Sequence, residues 1–386
     1  MDIGLFYQIQ VPKPWTTERE PNIYYELLDQ VPFAEEMGFS RVWMADHQFR
    51  SEWSHSSAPD VTLAALTQRT TQIRLGIAVV VPPIQHPLQI AARIATLDII
   101  SKGRVDLGVG RSGYPYQMVA FGTPLSNATG MVDEALEIIP KAWTEQDFSY
   151  EGTYYKIPLR QVHPKPLQKP HPPLWLGCSQ EDTFRKAGEL GLGALAMVGG
   201  GPEQLARLIE IYRETIKRPH PAGKLVHNRV SGSTIAFCME NRREAFQRGA
   251  ELLDWYREQQ RVRDMRVWGE QNAEEVPEDY QWHFRRTTAN DSPKQDDVSS
   301  MELLQSGHYC VGDPDDCIRY LEQFEATGLD EMMPLFQIGP ITHQEVMETL
   351  RLFGKHVIPH FRHSDVSSLD IADTGDDLAM ESPISD

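Results

Sequence analysis

Residues 101–113, SKGRVDLGVGRSG, decide how this chain is read. They predict a helix end, a turn at Lys102-Gly103, a short buried strand over 104–109, and a loop holding Gly110, Arg111, Ser112 and Gly113. Val105, Leu107 and Val109 alternate as a strand requires, and the glycines at its carboxyl end let something approach the backbone closely. Arg111 stands there as a group able to hold an anion. Gly108, Gly110 and Gly113 also satisfy the dinucleotide pattern G-x-G-x-x-G, which needs a helix immediately afterwards so that its amino end faces a pyrophosphate. Residues 114–127 carry Pro115, Gly122 and Pro124 without a helical period, so they are read as a loop. The stretch makes better sense as the mouth of a barrel strand.

Working outward, strand and helix alternate on both sides. Before it come a strand at 3–7, a helix at 22–37 ended by Gly38, and a strand at 39–45 running out into Asp46, His47, Gln48 and Phe49. A helix at 59–71, an almost purely apolar strand at 73–81 and a helix at 87–100 complete that side. After it come a helix at 130–143, a hairpin-like insertion at 148–158, a strand at 174–178, and a helix at 179–190 with Ser179 at its amino end. Further strands are read at 194–198, 230–239 and 332–338, with helices at 202–216, 242–260, 314–327 and 343–357. Eight such units predict an α/β fold, a (β/α)8 TIM barrel with insertions after strands 4 and 7, as one domain over 1–361. In such a barrel the chemistry sits at the carboxyl ends of the strands. That rule selects Tyr7 and Gln8, Asp46 and His47, Val79 and Val80, Gly110 and Arg111, Cys178 and Ser179, Met197, and Phe336 and Gln337.

Residues 261–307 break the rhythm. The segment is charged, lacks period, and carries Trp268 and Trp282, and it is longer than a structureless connection should be. Two readings stay open: a surface excursion, or a mobile lid whose aromatics close over a site, since tryptophans are costly to leave in water. Residues 364–386 hold seven acids and no Lys or Arg, an acidic tail expected to be disordered.

Composition narrows the function classes. With 37 basic against 55 acidic side chains, a formal charge of -18, phosphate-backbone attraction is not expected to drive function and nucleic acid is not the expected partner. Cys178, Cys238, Cys310 and Cys317 show no C-x-x-C spacing, as in a reduced cytosolic protein. The start MDIGLFYQIQVPKP lacks the basic region and apolar core of a signal peptide, and no long uncharged apolar run follows, so a cytoplasmic protein without a membrane span is expected.

In order along the chain, MDIGLFY (1–7), FSRVWMADHQF (39–49), LGIAVVVPPIQHP (75–87), the 101–113 stretch and VGDPDDCIRYLEQFEATGLD (311–330) resemble the luciferase-like flavin monooxygenase family, whose best-known members are the bacterial luciferase subunits. The likeness covers residues 1 to about 361 and is weakest at 261–307. It implies that His47 is a base beside the flavin, a role an imidazole can fill. It implies that Arg111, with the hydroxyls of Ser179 and Thr183 at a helix start, binds the flavin phosphate. It also implies a cis peptide at Ala78-Val79 against which the flavin ring packs. Tyr7, Gln8, Trp268, Trp282 and Phe336 are candidates for contact with substrate or lid. Two positions depart from the family. Gly110 replaces a reactive cysteine and is expected to open room over the ring, and Thr129 replaces a second phosphate-binding arginine, so phosphate affinity is expected to be weaker or to draw on another residue. No metal site is expected.

The resemblance further implies reduced FMN delivered by a separate flavin reductase, molecular oxygen and a small organic substrate as reactants, and a homodimer. Two other readings stand beside it: a hydride-transfer enzyme of the same superfamily using a deazaflavin coenzyme, and a non-catalytic flavin-binding partner subunit.

Overall fold

The computed structural model describes residues 1–267, 276–278, 280–281, 284–285 and 298–362. Trp268, Trp282 and the 364–386 tail lie outside the described residues. The barrel strands are β1 (Asp2–Ile3, resuming as Leu5–Tyr7), β2 (Arg41–Met44), β3 (Arg74–Val80), β4 (Val105–Val109), β5 (Leu174–Cys178), β6 (Gly193–Met197), β7 (Val230–Cys238) and β8 (Glu331–Leu335). Every pairing between neighbours is parallel, as Leu5↔Val42, Leu75↔Val105 and Ser231↔Glu331 illustrate. Strands covered on both faces have no polar side to show, which is why β4 and β7 are buried along their whole length.

The ring closes at Gly4. Asp2–Ile3 pair with Glu331 and Met332 of β8, whereas Leu5–Tyr7 pair with Val42 to Met44 of β2. A Cβ at position 4 would lie 2.7 Å from Glu331 Oε1 and 3.0 Å from the Arg41 carbonyl, so only glycine lets the strand change partners there.

Trp43, Trp175, Leu195 and Met333 fill the barrel interior, with Phe6, Ala78 and Val79 stacked on them toward the carboxyl end. At the amino end lies a buried charge cluster. Arg41 donates to Asp106 at 3.1 Å and to Glu331 at 2.5 Å, Arg74 donates to Asp106 at 2.6 Å, and the Trp175 indole donates to Asp106 at 3.1 Å. Burial alone would raise the Asp106 carboxyl, but Arg41 and Arg74 outweigh it and hold the group well below the usual carboxylate range.

Helices cover the outside, starting and stopping where local chemistry allows. Arg19–Met37 ends on Gly38 with φ 92°, Pro87–Ile100 begins on a proline behind the His86 cap, and the Asp313 carboxylate caps Pro314–Glu325. Two details correct the sequence reading. Pro115–Ala120 is helical, where a loop was expected, because proline at the first helical position starts a helix as readily as it breaks one. That helix is six residues long, and β4 stays between β3 and β5 of the closed barrel, so the dinucleotide fold is not restored. Arg242–Val267 also runs past residue 260. The insertion after β4 contains the antiparallel hairpin Phe148–Glu151 and Lys156–Arg160. From the insertion after β7, Val276 and Tyr280 pack on Ala128, Leu125, Tyr114 and Tyr116 beside the mouth of β4.

Candidate active site

At the carboxyl end of β3 the Ala78-Val79 peptide is cis, and the pairing with β4 shifts register between Ile77 and Val80. Ala78 and Val79 are half-buried and face the interior, while Ile77 and Val80 on either side are buried. Together they make a small apolar platform at the barrel mouth. Val79 leans across toward the next strands: a Cβ on Gly110 would sit 2.6 Å from Val79 Cγ2, and one on Gly177 would sit 3.4 Å from Cγ1. This corrects the expectation for Gly110. The space a side chain would use there is taken by Val79, so the glycine accommodates the platform instead of opening room over it.

The loop after β2 supplies the polar wall. The His47 amide donates to the Ser56 carbonyl at 2.8 Å, and its half-buried ring meets the Tyr114 ring edge-on at 6.1 Å. Beside it Asp46 is 3% exposed and anchors a relay across three loops. Gln85 Nε2 donates to Asp46 Oδ2 at 2.5 Å and Gln48 Nε2 to Oδ1 at 2.7 Å. Gln117 Nε2 donates to Gln48 Oε1 at 3.2 Å, and the Ser112 hydroxyl donates to Gln117 Oε1 at 2.5 Å. Burial pushes the Asp46 carboxyl up to about 6, with the two glutamine amides pulling the other way. Backbone strain gathers here too. Among the described residues, Ile9, Phe49, Ser51, Lys102 and Ser112 are the non-glycines with positive φ, and all but Lys102 stand at the carboxyl ends of strands. Each such residue costs roughly 1–3 kcal/mol and persists only where the surroundings demand it.

Across the platform, half-buried Arg111 donates to Thr129 Oγ1 at 3.4 Å, and its guanidinium lies 4.3 Å over the Tyr280 ring. The Tyr280 hydroxyl donates to the Arg111 carbonyl at 3.4 Å. Following β5, helix Glu181–Glu189 is capped by Gln180, so Ser179 precedes the cap, one position earlier than its sequence reading places it. The Thr183 hydroxyl accepts from the amides of Ser179 and Gln180, at 3.0 and 3.1 Å, and donates to the Gln180 carbonyl at 2.8 Å. Ser179 is exposed, and acidic Glu181 and Asp182 occupy the first turn, where they already oppose the partial positive charge of the helix end.

The remaining expected contacts divide. Gln8 is buried at the mouth, accepting from Gln10 Nε2 at 3.0 Å, while Gln10 bonds Gln337 and Gly339 of the loop after β8. Tyr7 and Phe336 do not face the mouth. The Tyr7 hydroxyl donates to Gln30 of the first helix at 2.9 Å, and Phe336 packs on Phe39 and Phe353 in the outer core. The reason is the two-residue alternation of a strand: Phe6 takes the inward position, so Tyr7 turns out. Sequence reasoning missed Gln85, Gln117, Tyr114 and Arg50, which join the site only through contacts between loops.

The model of the luciferase-like monooxygenase family matches residues 1–331. The chain belongs to the luciferase-like monooxygenase family. Among its relatives, the oxygenase component of the flavin-dependent trigonelline monooxygenase of Acinetobacter baylyi is 28% identical over 221 residues, which are 56% of this chain and 60% of that protein. The F420-dependent glucose-6-phosphate dehydrogenase of Microbacterium testaceum is 36% identical over 186 residues, 46% of this chain and 54% of that protein. In both cases the chain spans little more than half of the relative's own length. The oxygenating constituent of 3,6-diketocamphane monooxygenase from Pseudomonas putida, a type II Baeyer-Villiger monooxygenase in complex with FMN, superposes with a TM-score of 0.74 at 20% identity, covering 93% of this chain and 98% of that one. It shares the fold.

A flavin fits this luciferase-like mouth by the chemistry of its lining. The Ala78-Val79 platform offers an apolar face for a planar ring, the Arg111 guanidinium offers paired donors for a phosphate, and the Ser179 hydroxyl lies exposed at the next strand end. The Thr183 hydroxyl is committed to its own backbone, so it contributes by shaping the helix start.

Proposed function

We propose that this chain is the oxygenase component of a two-component monooxygenase, using reduced FMN from a separate flavin reductase and molecular oxygen to oxidise a small organic molecule. The observation that carries this reading is the aromatic cover of the mouth: Tyr114 lies against His47, and Tyr280 lies against Arg111. An oxygen-derived oxidant needs shielding from water for longer than a direct hydride transfer does. Reduced FMN, when bound, supplies the electrons that activate oxygen. The protein's part is to hold and shield. Ala78 and Val79 orient the ring, Arg111 and Ser179 hold the phosphate, and Gln8 lines the substrate side. His47 holds or moves a proton at an imidazole nitrogen, its loop fixed by the bond to Ser56 and by the Asp46 relay. A homodimer and a cytoplasmic setting belong to the same proposal.

The test is stopped-flow mixing of the anaerobic protein and reduced FMN with oxygenated buffer. We expect the oxidised flavin spectrum to return far more slowly than without protein. Return at the free-flavin rate would sink the FMN reading. His47→Ala should lower turnover by about 10²–10⁴-fold while flavin still binds. Unchanged turnover would remove the catalytic role of that residue. The 36% identity to an F420-dependent dehydrogenase supports a second reading, hydride transfer with a deazaflavin coenzyme. Tight binding of that coenzyme together with indifference to reduced FMN would select it.

A further inference from the structure

One charged side chain at the mouth has no hydrogen-bond partner among the described residues. Arg50 is 5% exposed, and its Nε, Nη1 and Nη2 make no hydrogen bond among the described residues. A guanidinium stays protonated at any working pH, so it does not escape burial by losing its charge as a lysine or a carboxyl would. Its immediate surroundings are aromatic: the guanidinium carbon lies 3.8 Å over the Tyr114 ring and 5.7 Å from the Trp53 ring, which packs on Tyr256. Stacking satisfies the faces of the cation and leaves its in-plane donors empty. The carboxylates nearest to it in sequence, Asp46 and Glu52, have other partners. Asp46 accepts from Gln48 and Gln85, and Glu52 accepts from the Lys13 amide at 2.7 Å.

The loop is built to keep the side chain there. Phe49 and Ser51, immediately on either side, hold φ at 63° and 47°, so the backbone is strained around this one arginine. Tyr114 touches both Arg50 and His47, which places the unanswered cation and the imidazole one ring apart. In a chain of net charge -18 the overall field repels small anions, so a site that takes one needs a local cation of its own.

We propose that Arg50 anchors the anionic end of the substrate, a small organic carboxylate. The guanidinium fork takes the two carboxylate oxygens through parallel N–H···O bonds once Tyr114 swings away, and the rest of the molecule points toward His47 and the Ala78-Val79 platform. The assignment rests on the oxygenase reading only for the identity of that molecule as substrate. Carboxylate binding itself requires no flavin.

The experiment uses the full chain without flavin, titrated with benzoate and with hexanoate, each beside its uncharged amide, and read by tryptophan fluorescence and melting temperature. We expect saturable quenching and a raised melting temperature with the acids and neither with the amides. Arg50→Gln should abolish the response, and Arg50→Lys, which keeps the charge and loses the fork, should weaken it at least tenfold. Without ligand, Arg50→Met should melt higher than the wild type, because an unpaired buried charge has been removed. Equal binding of acids and amides, no response to either acid, an unchanged response in Arg50→Gln, or a lower melting temperature for Arg50→Met would each overturn the proposal. Because flavin is absent, failure here leaves the stopped-flow result standing, and the reverse also holds.

Discussion

The two ends of the barrel handle buried charge in opposite ways. At the amino end Asp106 is shared by Arg41, Arg74 and the Trp175 indole, and Arg41 also reaches Glu331. Among the described residues, the atoms left unanswered there are Arg229 Nε, His227 Nε2 and Ser231 Oγ: Arg229 still pairs with Asp2 through Nη2, burial holds His227 neutral by pushing its pKa down to about 3, and Ser231 is an uncharged hydroxyl. At the carboxyl end the Arg50 guanidinium makes no hydrogen bond among the described residues, a carboxyl is pushed up to about 6, and positive-φ residues gather. One end pairs its buried charges with one another, while the other leaves one buried guanidinium without a hydrogen-bond partner among the described residues. Such a division is what a barrel with its chemistry at one face should show.

The strongest way to break this comparison is Asp106→Ala. It removes the carboxylate shared by buried Arg41 and partly buried Arg74, leaving Arg41 with Glu331, and the expected loss is about 3–5 kcal/mol in urea denaturation. A loss below about 1 kcal/mol would show that the amino end is not what secures the barrel.

The two ends should also respond to pH with opposite sign. The folded pKa of Asp106 is depressed, so its contribution is present above the unfolded value near 4 and is lost as pH falls below that. The folded pKa of Asp46 is raised from 3.8 to about 6, so folding favours its protonated form. Stability from that group is present below about pH 4 and is lost as pH rises through about 6, a change of roughly 3 kcal/mol. Asp46→Asn should remove this slope while leaving the acid limb set by Asp106, as measured by denaturation at pH 4 and pH 7.5. An unaltered slope between those values would refute the assignment.

Gly110→Ala tests the platform. Its new methyl meets Val79 at 2.6 Å, and we expect destabilisation of about 1–3 kcal/mol together with weakened flavin binding. Normal stability with tighter flavin binding would restore the reading of Gly110 as open space. Smallest of all, Tyr280→Phe removes the 3.4 Å bond to the Arg111 carbonyl and should alter flavin affinity by no more than about tenfold, consistent with roughly 1 kcal/mol for one partly exposed hydrogen bond.

Much of the architecture was legible because it is written locally. Strands covered on both faces read as apolar runs, and the ends of Pro87–Ile100 and Leu174–Cys178 coincide with their sequence reading. The site was legible in height along the barrel but not in direction. Tyr7 and Phe336 stand at strand ends as expected, yet which way a side chain turns depends on alternation that the end-of-strand rule ignores. Pro115 and Gly122 looked like breakers, although a proline in the first turn begins a helix. The role of Gly110 is set by Val79 on a neighbouring strand, and Arg50 is conspicuous only through missing partners. Neither property exists until distant segments meet.

The Gly4 seam has a consequence for how the chain is made. Asp2–Ile3 find their outer neighbour in Glu331 and Met332, so the first barrel strand made waits for the last barrel strand to be translated. At roughly 5–20 residues per second that delay is on the order of tens of seconds. Throughout it, the nascent β1 carries a bare backbone edge, the kind of surface that cellular chaperones exist to guard.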